Sequence, residues 1–152
     1  QAAQPAPAPA PAPPTTAAPP PTTAPPAPRT VAAASPSAAE GQFLALVNQV
    51  RAGAGLPALR LDGTLQGAAR SQAQRMAGSG NLVHQNLAVL LGPFRTVGEN
   101  VGYGPNVSVI HNALVNSPGH FANMVKGDFT SIGIGVSVDA NGTMWTSHVF
   151  GG

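Results

Sequence analysis

Ser131-Ile132-Gly133-Ile134-Gly135-Val136-Ser137-Val138 sends four branched apolar side chains to one side of an extended chain and serine or glycine to the other. That is the period of a half-buried strand. Asp139-Ala140-Asn141-Gly142 follows with turn chemistry, Gly142 being suited to positive φ, and Thr143 to Phe150 returns as a partner strand. Residues 131–150 therefore read as a hairpin. The face carrying Gly133 and Gly135 is small enough for a helix or loop backbone to approach closely.

Upstream the period changes from two to that of a helix. Ser37-Ala38-Ala39-Glu40 is a capping box, and Phe43, Leu46, Val47 and Val50 recur at helical spacing behind it. Gly53-Ala54-Gly55 stops that helix before the extended Leu56-Pro57-Ala58-Leu59. Asp62 caps a second helix with the stripe Leu65, Ala68, Ala69, Ala73 and Met76, leaving Arg70 and Arg75 outside; Gly78 and Gly80 end it. Asn81 to Gly104 reads mostly as loop, with a short strand around Val97 to Tyr103. A third helical pattern starts at Ser108 and runs through Val109, Ala113 and Leu114. A short helix restarts at Ser117-Pro118-Gly119-His120, with Ser117 as cap and Pro118 in the first turn, where its missing amide hydrogen costs little. Helices first and a hairpin last imply an α+β domain built in layers.

Composition sets the boundary of that domain. Residues 1–36 are almost entirely Ala, Pro and Thr with one charge, Arg29, and lack the apolar bulk to bury. They are expected to be a disordered, solvated arm of polyproline character, leaving residues 37–152 as one domain large enough to fold alone. The net charge of +2 is small and Arg51, Arg60, Arg70, Arg75 and Arg95 are dispersed, so no nucleic-acid partner is expected. The chain has no cysteine, hence no disulfide framework, and no apolar stretch of bilayer-spanning length. Gln1-Ala2-Ala3 is what a signal-peptidase cut would leave, and a Pro/Ala/Thr arm suits a domain held off a cell wall. A secreted or cell-surface monomer is the expectation.

Few residues offer chemistry. His84 stands in a Gly- and Asn-rich loop, Glu99 in Gly98-Glu99-Asn100, and His120 at the third position of a helical turn. Two imidazoles and a carboxylate brought together suit zinc or another divalent ion. Spacing alone does not bring them together, and each has a plainer role: a histidine at a helix start bonding a carbonyl, a glutamate accepting amide hydrogens in a turn. His111, one residue off the third helix's stripe, reads as a surface or packing residue, and His148 as a half-buried strand residue. Ser117 reads as a cap and not a nucleophile, there being no Gly-x-Ser-x-Gly elbow. No catalytic residue is assigned.

Taken in order, the motifs are specific. Leu46-Val47-Asn48-Gln49-Val50-Arg51 precedes Gly55-Leu56-Pro57-Ala58-Leu59; Leu65, Ala68-Ala69-Arg70 and His84 follow, then Gly98-Glu99-Asn100-Val101 and Ser117-Pro118-Gly119-His120-Phe121-Ala122-Asn123-Met124. Ile132-Gly133-Ile134-Gly135-Val136 and Trp145 to Phe150 complete the set. From Glu40 to Phe150 the chain resembles the CAP superfamily (cysteine-rich secretory proteins, antigen 5 and pathogenesis-related proteins; the SCP domain) in its small bacterial form. The resemblance implies a three-layer α-β-α sandwich with a central antiparallel sheet and a cleft of two histidines and two acidic residues. By motif His84, Glu99 and His120 match three of the four. Where many relatives carry the fourth, a glutamate, this chain has Leu114 and Ser117, which lowers the site's negative charge and removes a candidate base. The resemblance thus implies an exported binding protein that holds zinc weakly and takes a lipid or small apolar ligand. The alternatives are a metal-dependent, peptidase-like hydrolase of the cell envelope, and a structural protein of the cell wall or of host contact.

Overall fold

The computed structural model describes residues 37–152; the expected arm, residues 1–36, lies outside them. Helix α1 (Ala38–Gly53) opens on the full capping box: Ser37 Oγ accepts from the Glu40 amide, and Glu40 accepts from the Ser37 amide at 2.7 Å. Strand β1 (Arg60–Leu61) is two residues long. Helix α2 (Gly63–Ser79) is capped by Asp62 and closed by Gly80 in the left-handed conformation, φ 68°. A 3-10 turn at Leu87–Leu90 precedes strand β2 (Val97–Gly104), longer by one residue than the sequence implied. Helices α3 (Val107–Val115) and α4 (Pro118–Met124) follow, then the expected hairpin of β3 (Ser131–Val138) and β4 (Met144–Gly151) around Gly142, φ 81°.

The four strands form one sheet in the order β1-β3-β4-β2. β2, β4 and β3 are antiparallel as expected, whereas β1 joins β3 in parallel through Arg60↔Ser131 and Leu61↔Ile132. Parallel pairing there needs a long connection, and the chain between β1 and β3 supplies one through α2, β2, α3 and α4.

The pleat distributes the sheet between two helical layers. Ile132, Ile134 and Phe150 face α1, α3 and α4 in the main core with Phe43, Val47, Ile110, Leu114 and Phe129. The opposite face takes α2. A Cβ added at Gly133 would lie 2.0 Å from the Leu65 carbonyl carbon, and one at Gly135 would lie 2.2 Å from that of Ala69. Glycine at both positions lets the backbone of α2 rest directly on β3, as the alternating pattern implied.

Beyond its two-residue pairing with β1, the outer edge of β3 carries backbone groups that must be satisfied. Gln66 of α2, buried, lies along it like a strand: its Nε2 donates to Ile134 O and its Oε1 accepts from the Ile134 amide at 3.0 Å. Glu40 receives the Val136 amide further on. The same carboxylate takes Nε and Nη2 of Arg70 at 2.9 and 2.8 Å, so α1 and α2 meet around this edge. Arg70 therefore does not stand outside, as the stripe implied.

Three further readings change. The third helix starts one residue early, with Asn106 as the cap, and its buried stripe is Val107, Ile110, His111 and Leu114, while Val109 is exposed. Hydrophobicity alone favoured Val109; burial of an imidazole is a tertiary outcome. His148 is not half-buried but fully so, edge-on to the Phe43 ring at 4.8 Å. Arg51, one of the dispersed cations, is 1% exposed and donates to the carbonyls of Pro57, Met124, Lys126 and Phe129. It ties the end of α1 to the segments that lead into β1 and β3.

Candidate functional site

β2 is the far edge of the sheet, so residues on both of its faces are close to its open side. Gly98-Glu99-Asn100 sits there, and alternation gives each residue a separate duty. Gly98 leaves room for Phe129 and Asn123, whose atoms would lie 2.9 and 3.2 Å from a Cβ. Asn100 faces α4, donating to His120 O at 2.9 Å and accepting from Asn123 at 2.9 Å, and Asn123 also donates to Glu99 O. Glu99 turns to the other face, where the loop after α2 comes down.

The Glu99 carboxylate is buried and fully engaged. Oε2 meets His84 Nδ1 at 2.8 Å and the Gln85 amide at 3.1 Å; Oε1 takes Gln85 Nε2 and Ser147 Oγ, each at 2.8 Å. Four contacts fill the acceptor sites of one carboxylate. With the carboxylate accepting throughout, the proton of the His84–Glu99 bond belongs on Nδ1, which leaves the Nε2 lone pair of a neutral His84 free. The His84 side chain is 60% exposed.

His120 is held from the other side. Ser117 stands at the N-cap position of α4 but makes no capping bond; its hydroxyl instead meets His120 Nδ1 at 2.8 Å. The cap reading of Ser117 holds for its backbone position and fails for its side chain. Burial, and then the nearby charge of His84, lowers the affinity of His120 for a proton, so the two imidazoles sense each other across the β2 edge. Sequence reasoning missed Gln85, Ser147 and Ser117 as partners; only the second anchor, Asn100, was visible, as a member of the triplet.

The structure thus brings Glu99 directly to His84 and places His120 within electrostatic range. Among the described residues, no three His, Cys, Asp or Glu side chains are disposed to share one metal ion. Next to His120 lies a cavity of about 220 Å³ lined by Leu82, Tyr103, Ile110, Leu114 and Ser117. The two positions that replace the absent acid, Leu114 and Ser117, are on its wall. His111 and His148 lie deeper: His111 Nδ1 and both ring nitrogens of His148 have no hydrogen-bond partner among the described residues. Burial, then the charges of His111 and His120, push the His148 imidazole down to about 3.

Known proteins share this fold. An uncharacterized Bacillus subtilis protein, YkwD, is 32% identical over 131 residues, 79% of this chain, and the chain spans only 50% of that relative's length. An outer surface protein of Borrelia burgdorferi superimposes with a TM-score of 0.66 at 19% identity, over 73% of this chain and 90% of that one. An extracellular SCP-domain protein of Bacillus anthracis gives 0.62 at 23% identity, over 74% of this chain and 39% of that one. These structural likenesses carry the fold alone. Because the family model for the cysteine-rich secretory proteins matches residues 44–150, the greater part of the sequence, the chain belongs to the CAP family.

Proposed function

We propose that this chain is an extracellular binding module whose cleft takes a divalent transition metal, zinc by donor type, on Nε2 of His84 and Nε2 of His120. The observation that carries the reading is the saturated Glu99 carboxylate, which orients through Nδ1 a His84 side chain that is largely exposed. A carboxylate behind a histidine is the usual support of a zinc ligand, and the Ser117 hydroxyl, able to accept from Nδ1 or donate to it, holds the His120 ring in place. Glu99 is then a positioning residue in the metal set, not a direct ligand. Two imidazoles leave the remaining zinc positions to water or to a ligand, so binding is weak.

The adjoining apolar cavity suits an apolar part of that ligand, a lipid chain or a small apolar molecule. The hydrolase reading is the weaker one, because a general base needs a free lone pair near the metal and Glu99 has none to spare. A purely structural role at the cell wall would leave the oriented Nε2 atoms without use. Extracellular placement is supported by the Bacillus anthracis protein's description, and no helix among the described residues is long and apolar enough to cross a membrane.

Titration calorimetry with zinc at about pH 7.5 and about pH 5.5 tests this, the two values bracketing the ordinary imidazole value near 6.5. Binding is expected at the higher pH only, lost in His84→Ala and in His120→Ala, and weakened about tenfold in Glu99→Gln. Zinc uptake that survives both histidine substitutions would place the metal elsewhere and end the proposal.

A further inference from the structure

At the opposite edge of the sheet from the histidine cleft, Arg51, Arg60, Thr130 and Ser131 line a cavity of about 440 Å³ together with Phe129 and Gly127. We propose that this cavity is a binding site for an oxyanion group, a phosphoryl or a carboxylate.

The first observation is a buried cation without a counter-charge. The bonds of the Arg51 guanidinium all run to backbone carbonyls, and among the described residues no carboxylate pairs with it. At 1% exposure its charge is poorly hydrated, and carbonyl dipoles stabilise it without cancelling it. Burial lowers its hold on its proton. Its field therefore extends into the adjoining cavity with little screening.

The second observation is a set of free donors on the cavity wall. Arg60 and Ser131 are register partners, so their side chains leave the sheet together. The Arg60 guanidinium and the Thr130 and Ser131 hydroxyls have no side-chain partner among the described residues. Among the described residues no carboxylate lines the cavity. A planar fork of N–H donors with two hydroxyls and a second cation behind them matches a group having several acceptor oxygens and at least one negative charge. A cationic ligand has no complement there.

The test uses the whole chain and three probes at constant ionic strength: inorganic phosphate, dimethyl phosphate and acetate, each followed by the amide resonances of Arg60, Gly127, Thr130 and Ser131. Saturable shifts confined to these residues are expected. Response to acetate alone assigns the group as a carboxylate; response to the phosphates assigns it as a phosphoryl. Arg60→Gln is expected to weaken binding about tenfold, the value of one charge-assisted contact. Ser131→Ala weakens it less, and Arg75→Gln, about 18 Å along α2 from that helix's start, leaves it unchanged. The site is refuted if none of the probes saturates, or if Arg60→Gln and Arg75→Gln weaken binding equally, since that would be diffuse surface charge.

Discussion

His148 is the residue at which local pattern and final environment differ most. Alternation along 144–150 marks it only as facing one side of the strand; it is Phe43 from α1 and His111 from α3 that enclose it. Sealed in, with neither ring nitrogen partnered among the described residues, it must stay neutral. Its folded value of about 3 lies below the unfolded 6.5, so between those limits the unfolded chain binds a proton that the native chain refuses. Stability is therefore complete above about pH 6.5 and falls as pH falls, by at most about 1.4 kcal/mol per unit. His111 and His120, also lowered chiefly by burial, act in the same sense. Urea unfolding at pH 7.5 and pH 5.5 is expected to show wild type losing on the order of 1 kcal/mol and His148→Gln losing clearly less. Equal losses in the two proteins would mean that His148 is hydrated in the folded state.

The elements show which signals a sequence can carry. The capping box of α1, the Asp62 cap of α2 and the turn at Gly142 are made by side chains within four residues of their partners, and all three were legible. The glycine stripe was legible too, because only a close approach explains small residues on a strand face. Gln66 was not: it sits among exposed and apolar positions alike, and its pairing with Ile134 joins residues 68 apart in the chain. Arg51 and Arg70 failed for the same reason. At the site, the triplet around Glu99 located the cleft, while its partners Gln85 and Ser147 carry no local mark. The α2–β3 contact makes a sharp prediction. In Gly133→Ala the new methyl meets helix backbone, which no rotamer change relieves, so the helix must lift along its length. A cost of more than about 3 kcal/mol is expected, above the usual range for overpacking. Gly78→Ala, with nothing within 4 Å of its Cβ and a helical position, is the control and should be neutral or stabilising. Comparable losses in both would show that α2 does not bear on the strand.

For the molecule as a whole, the two edges of the sheet have been put to different uses. At β2 the edge is left open and holds the histidines; at β3 the outer edge is closed by Gln66, Glu40 and the Glu40–Arg70 pair, which joins the two helical layers. The closed edge responds to acid in its own range. Burial works to raise the Glu40 carboxyl, but the bond from Arg70, the amides of Ser37 and Val136 and the Arg70 charge outweigh it, and the net shift is downward from 4.5. A carboxyl held lower in the folded state contributes stability that is present above the unfolded value and disappears as pH falls through the folded one. The histidines lose theirs from about 6.5 downward, and so the domain is expected to weaken in two successive steps. Glu40→Gln keeps the size of the side chain and an acceptor for the Ser37 amide, but removes the charge that faces Arg70. With Arg70 25% exposed the pair is partly screened, and a loss of about 1–2 kcal/mol at pH 7 is expected. Urea midpoints measured from pH 7.5 to pH 3.5 should then show the lower step missing in Glu40→Gln and the upper step flattened in His148→Gln. A Glu40→Gln profile that runs parallel to wild type below pH 4.5 would mean that the bridge between the layers carries no net electrostatic stability.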